Sequence, residues 1–360
     1  MDEATNEGFK RTLSVLVCYY DFRRKRVVVE HLSAVELVTV NTDTVYESVC
    51  NLFTLHDIPW ENCLGILMDS CGVMRGSKTG LEVRLRKYKN PALLNMDGDI
   101  CHHIHNAVKI FVDPYQRLAE GFFRDLHNDH KWSSDIRSFM QEICQILGVA
   151  YTLPDMFATH RLLSVYDTAV STLRLYEAYK VLYYGFADDE NRSLYKPTIL
   201  DIERRHGVSL ESRERLKEIW AKLRAKKRRC TKLGRKRKER LVVKLFPHAD
   251  ELLLTIHIYT AALPVLKEYV MLFQRDEPLI HKVHDKLEEL FREFLGFFIK
   301  PQFLNKSAKG LSKLDLSQKN RYLSKKDMFL GKYFKDLADK CTECTRTGFF
   351  PTVSNLFRLS

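Results

Sequence analysis

The sequence predicts an α/β region followed by a large all-α region, and three observations carry that reading. Over the first hundred residues the apolar side chains gather in short β-like stretches. From about His102 onward they recur at the i, i+3/i+4 spacing of helices. The chain has 360 residues, 45% hydrophobic and 29% charged, which is the balance of a core-forming protein long enough for more than one domain.

The elements follow in order. Ser14 to Tyr20 (SVLVCYY) reads as a buried strand. A short polar turn at Asp21 to Arg24 leads to a second strand, Lys25 to Leu32, and Val35 to Val40 reads as a third. Asn41, Thr42 and Asp43 can cap a helix on which Val45, Val49, Leu52 and Phe53 share a face. Leu64 to Met68 (LGILM) is a short strand ending at Asp69. Gly80 to Tyr88 reads as a helix with Leu81 and Leu85 on one side, and Pro91 to Met96 as a further strand. Helical spacing then covers 102–112, 116–128, 133–147, 161–184, 211–229, 246–274 and 278–298, punctuated by Pro154, Pro197, Pro247, Pro264 and Pro278. Residues 301–326 are polar and Lys/Ser-rich and read as a linker, 327–340 as one more helix, and 341–360 show no pattern. The expected domains are 1–112, 113–300 and 301–360.

Several classes are excluded by what is missing. The opening stretch, MDEATNEGFKR, has no apolar run of the kind a secretory signal needs. No uninterrupted apolar stretch approaches the ~18–20 residues of a membrane helix, so no membrane partner is expected. Nine cysteines without regular spacing read as free thiols of a reducing compartment. There is no G-x-S-x-G elbow and no G-x-x-x-x-G-K-[ST] phosphate loop.

The formal charge of +12 is concentrated. Lys222 to Arg240 holds twelve Lys and Arg against one acid, Glu239, a local charge of +11, and the rest of the chain sums to about +1. Two clusters, Lys226-Lys227-Arg228-Arg229 and Arg235-Lys236-Arg237-Lys238, are joined by five residues. That arrangement suits a bipartite nuclear import signal, phosphate contacts to DNA, or a solvated loop that repels itself into an extended chain. A protein neutralising ~6–10 phosphates would lose ~10³–10⁵ in affinity between 50 and 200 mM salt.

Three motifs appear in a telling order. An acidic pair, Asp2-Glu3, precedes the strands; Met68-Asp69-Ser70-Cys71-Gly72-Val73-Met74-Arg75-Gly76 follows the fourth strand; Cys101-His102-His103-Ile104-His105 opens the long helices. With His160 to Tyr166 and Leu272 to His281, this series resembles the hAT (hobo/Ac/Tam3-like) transposase family. The resemblance implies a ribonuclease-H-like mixed sheet, N-terminally truncated here, followed by a helical insertion. It implies catalytic, Mg²⁺-binding carboxylates at Asp2 and Asp69, since two metal ions ~3.5–4 Å apart would serve the attacking and leaving oxygens. A third carboxylate after the insertion has no counterpart, and Leu162 stands where the family carries Trp. The Cys/His block is shifted, so Cys101, His102 and His105 could approach a Zn²⁺ or form a polar packing network. Cys341 and Cys344 are half of such a site.

The expected function is therefore a transposase-derived, catalytically inactive nuclear protein that binds DNA or chromatin partners and meets an import receptor. Two alternatives remain open: an active Mg²⁺-dependent transposase within a longer chain, and a helical protein-interaction scaffold.

Overall fold

A computed structural model describes residues 2–5, 11–69, 71–94, 99–112, 118–155, 162–275, 279–324, 327 and 336–337. The chain divides into two compact units, one of Met1–Ala107 with Tyr269–Asp285, the other of Val108–Glu268 with Lys286–Ser360.

The first unit opens with three strands, β1 (Asp2–Thr5), β2 (Arg11–Asp21) and β3 (Arg26–Leu37), paired antiparallel in the order β1-β2-β3. Asp2 lies opposite Ser14, so the strand expected to be missing is present. The two strands expected at Lys25–Leu32 and Val35–Val40 are one strand. Val15 pairs with Ser33 but Leu16 with His31, so Leu32 is an extra residue on β3 and the pairing continues through this bulge. Ser33-Ala34 mimics a break in the sequence, yet only the register slips there.

Helix α1 (Thr42–Leu55) starts where its caps predict. The Asn41 side chain accepts from the Thr44 N–H, and the Thr44 hydroxyl faces back to the Asn41 N–H at 3.3 Å. Its Val45, Val49 and Leu52 close over Leu13, Val15 and Leu37 of the sheet. Ile66 and Met68 complete this core while Leu67 between them stays exposed, the alternation of an extended segment. The expected strands at 64–68 and 91–96 reduce to one parallel bridge, Gly65 to Leu94. Asn90 secures it, donating to the carbonyls of Trp60 and Cys63 at 2.9 and 3.0 Å. Among the described residues the sheet of three strands is thus wholly antiparallel, and the mixed character expected of it rests on that bridge.

Short α2 (Gly72–Arg75) and α3 (Leu81–Tyr88) follow Asp69. The glycines between them have a steric reason. A Cβ at Gly76 would stand 2.4 Å from the Gly72 carbonyl oxygen, and one at Gly80 would stand 2.4 Å from the Gly76 nitrogen. Helix α4 (Ile100–Val112) carries the Cys/His block.

The second unit is helical: α5 (Leu118–Lys131), α6 (Ser134–Ile146), α7 (Leu162–Tyr184), α8 (Asp189–Arg205), α9 (Leu210–Arg229), α10 (Lys232–Leu245), most of α11 (Ala249–Phe273) and of α12 (Val283–Gly296), and α13 (Ala308–Leu311). Helices α8 and α10 were not expected. Pro197 lies inside α8 and Pro264 inside α11, so neither punctuates a helix boundary. A single proline removes one backbone donor, and burial of the surrounding apolar face outweighs it. The basic stretch is helical as well, broken only at Cys230 between α9 and α10, where Thr231 caps the new helix.

Helix α11 is the one described helix long and apolar enough to cross a membrane by length and composition. It reaches that length with Thr255, His257 and Thr260 interspersed, which is why no uninterrupted run announces it. Leu252, Leu254, Ile256, Ile258 and Tyr259 are buried, and the Tyr259 hydroxyl donates to Glu120 of α5 at 2.5 Å, the setting of a core helix. The region 301–326 is more than a linker. Ile299 bridges Tyr322, and Leu311 and Leu314 are buried. Residues 269–285 belong to the first unit although the sequence groups them with the helices; there the Cys101 thiol donates to the Val270 carbonyl at 3.9 Å. The helix expected at 327–340 lies largely, and Cys341 and Cys344 lie wholly, outside the described residues. The seven described cysteines are free thiols.

Candidate functional site

In the first unit a cavity of about 250 Å³ is lined by Ser14, Leu16, Leu67, Met68, Asp69, Asp99 and His102. Strand β2 brings Ser14, the extended segment brings Asp69, and the start of α4 brings Asp99 and His102. Asp69 Oδ1 is shut off from solvent and lies 3.2 Å from His102 Nε2, off the line of a hydrogen bond. Asp99 Oδ1 accepts the Cys101 N–H at 2.9 Å, which caps the helix. Two of the expected residues, Asp69 and His102, therefore meet. Asp99 joins them unexpectedly; the only sequence signal for it was its place before the helix that begins at Ile100. The side chain of Asp2 lies outside the described residues.

Cys101 turns elsewhere. Burial pushes its thiol up to about 11, with Asp99 adding to the rise. The rings of His102 and His105 stand 6.3 Å apart, and His105 is buried. Among the described residues no group of three His, Cys, Asp or Glu side chains has the arrangement to hold a metal ion. Mg²⁺ asks for several hard oxygen ligands, and beside Asp69 the cavity offers the His102 imidazole as well as the Asp99 carboxylate. The described residues give this cavity two carboxylates, Asp69 and Asp99.

The basic stretch is divided by the fold into two kinds of cation. On the inner side of α10, Lys238 is buried and donates to Asp129 Oδ1 at 2.5 Å, with its ammonium 5.1 Å from the centre of the Phe186 ring. Tyr183 donates to the other Asp129 oxygen at 3.0 Å. Arg240 grips Asp125 with two hydrogen bonds of 2.9 and 2.5 Å, and Arg237 donates to the Asn128 carbonyl at 3.2 Å. Burial lowers the pKa of Lys244, one turn further on. The C-terminal part of α9 behaves alike. Lys226 reaches Ser133 and Asp135, and its hydrogen bond holds the Asp135 carboxyl below the usual range. Lys227 donates to the Phe186 carbonyl at 2.8 Å. The side chains of Arg228 and Arg229 lie outside the described residues.

What remains outward is a smaller set. Lys222, Lys232, Arg235 and Lys236 are exposed. The last three sit at i, i+3 and i+4 of α10 and so share one face. The acids that consume the other cations, Asp125, Asp129 and Asp135, come from α5 and α6, about a hundred residues earlier in the chain.

Comparison of the chain with protein-family profiles, with curated proteins and with solved structures returns no match.

Proposed function

We propose that this chain is a transposase-derived, catalytically inactive nuclear protein that binds DNA through the outward face of α10. The observation that carries the reading is the trio Lys232, Arg235 and Lys236, exposed on one helical face while their neighbours are paired internally. Cations that make no ion pair with a described residue can meet phosphates. The same exposed residues would present the chain to an import receptor.

The transposase part of the reading is supported by element order. An antiparallel meander, a helix, a segment ending in Asp69, two short helices and a parallel bridge to Leu94 follow one another as a ribonuclease-H-like domain would require.

Fluorescence anisotropy with duplex DNA over a salt series tests the proposal. Three or four phosphate contacts at a slope of about 0.9 each imply a loss of ~40–150-fold between 50 and 200 mM salt. That is far shallower than twelve free cations would produce. The same samples, run on a gel with Mg²⁺ or Mn²⁺, should show no nicks. Salt-independent behaviour toward DNA would favour a protein-interaction scaffold instead, and nicking would restore the active enzyme.

A further inference from the structure

Strands β2 and β3 extend well beyond the core they serve. Leu13, Val15 and Leu37 are buried, but past the bulge at Val15/Leu16 the hairpin is exposed or half-exposed on both faces. A two-stranded ribbon without a core of its own is marginal in water, and apolar side chains displayed on it point to a binding role. Phe22 is 85% exposed and Tyr20 50%, and their rings meet edge to face at 5.1 Å. Cys18 and Tyr20 share a face with Val29 and Val27, their partners across the hairpin. Tyr19 stands on the opposite face, held by its hydroxyl on Glu30 at 2.9 Å.

The tip is cationic. Arg23, Arg24, Lys25 and Arg26 follow one another through the turn, all exposed. The turn is built locally: Asp21 Oδ1 accepts the N–H groups of Arg23 and Arg24 at 2.8 and 3.0 Å, and Lys25 takes the left-handed conformation at φ 50°. Arg24 is shared between Asp21 and Glu30 at 3.4 and 3.5 Å. Arg23, Lys25 and Arg26 make no ion pair with a described residue.

We propose that the outer half of the β2–β3 hairpin is a binding site for single-stranded nucleic acid. Unpaired bases stack on Tyr20 and Phe22, and phosphates meet Arg23, Lys25 and Arg26. Aromatic faces beside cations are the combination that single strands use, because every base has a stacking face and every nucleotide a phosphate. The basic stretch of α9 and α10 lacks this feature, having few aromatics among its cations. A lipid surface suits the hairpin less well. Insertion of the tip would carry the carboxylates of Asp21 and Glu30 toward hydrocarbon, whereas a nucleic acid leaves both in water. The inference rests on the reading of the chain as a nucleic-acid binder but uses a different surface, so the two can fail separately.

The test uses the full chain with a labelled oligothymidine of ~16 nucleotides, a length at the upper end of known single-strand sites. A DNA duplex and phosphatidylserine vesicles serve as the other probes. Tyr20→Ala/Phe22→Ala and Arg23→Gln/Arg26→Gln alter exposed side chains, so the helical circular dichroism and melting should match the parent. Each pair should weaken oligothymidine binding by about tenfold or more, duplex binding should hold, and Tyr20→Phe should bind as the parent does. Parent-like oligothymidine affinity in either double variant overturns the proposal. So does a parent that ignores the oligonucleotide and instead loses vesicle binding on the same substitutions. Lys232→Glu/Arg235→Glu/Lys236→Glu probes the other surface. Duplex binding untouched by that triple change sinks the α10 reading while leaving the hairpin standing.

Discussion

Lys238→Met would remove the cation from the buried pair with Asp129 while keeping most of the side chain's volume. The side chains of the pair are 6% and 2% exposed and meet at 2.5 Å, so neither charge can turn to water when its partner goes. Asp129 would keep only the Tyr183 hydrogen bond at 3.0 Å. Removing one member of such a pair costs about 3–5 kcal/mol, mostly the penalty of an uncompensated buried charge. In a unit of this size each kcal/mol moves the midpoint by about 2–4 °C, so melting should fall by ~6–20 °C. Asp129→Asn should cost a comparable amount, because it strands the ammonium. The double variant Asp129→Asn/Lys238→Met removes both charges, and its cost should fall short of the sum of the two by about 2 kcal/mol or more. Urea unfolding followed by far-ultraviolet circular dichroism reads this directly, since the second unit supplies most of the helix. Single variants that cost less than about 1 kcal/mol, or that add within about 0.5 kcal/mol, would refute the claim that α10 is locked to α5 by this pair.

Other outcomes follow from the same geometry. Lys232→Glu/Arg235→Glu/Lys236→Glu should flatten the salt dependence of duplex binding by about three contacts' worth of slope while leaving unfolding unchanged. Asp69→Asn should give the same Mg²⁺ and Mn²⁺ calorimetric trace as the parent, and a parent signal that vanishes in the variant would show a metal site after all. His130 is buried between Tyr179 and Tyr183, and burial lowers its pKa to about 4 from an ordinary 6.5. Between those values the unfolded chain binds the extra proton, so stability should drop by about 3 kcal/mol as pH falls from 6.5 to 4. His130→Gln should lose that part of the slope, and parallel pH curves for the two proteins would contradict it. Gly80→Ala should destabilise the first unit, because its Cβ would overlap backbone atoms at 2.4 and 2.7 Å; unchanged melting would mean the turn between α2 and α3 can widen freely.

Much of the local structure was legible because local residues cause it. Asn41 announces the start of α1 as its cap, with Thr44 completing the box only in the structure, and Val45, Val49 and Leu52 mark its buried face. The helices at 134–146 and 162–184 show in apolar spacing alone. Helix α8 was hidden by Pro197 and by sparse apolar residues, and α10 by its charge. Both gain their stability from packing that no local window contains. The strand break expected near Ser33 was a bulge, a feature of the partner strand's register as much as of β3 itself.

The candidate sites divide along the same line. Sequence alone determined that the positive charge is concentrated in 222–240, that Asp69 closes an extended apolar segment, and that histidines open α4, for these are properties of neighbours in the chain. Only the tertiary structure decided which cations are spent. Asp125 and Asp129 approach Arg240 and Lys238 across more than a hundred residues, and the low exposure of the Asp129–Lys238 pair makes its neutralisation strong. The same holds beside Asp69, where His102 and Asp99 arrive on a different element and decide what the carboxylate can hold. Charge is inherited from the residues themselves, but whether a charge is free depends on the groups that folding places opposite it.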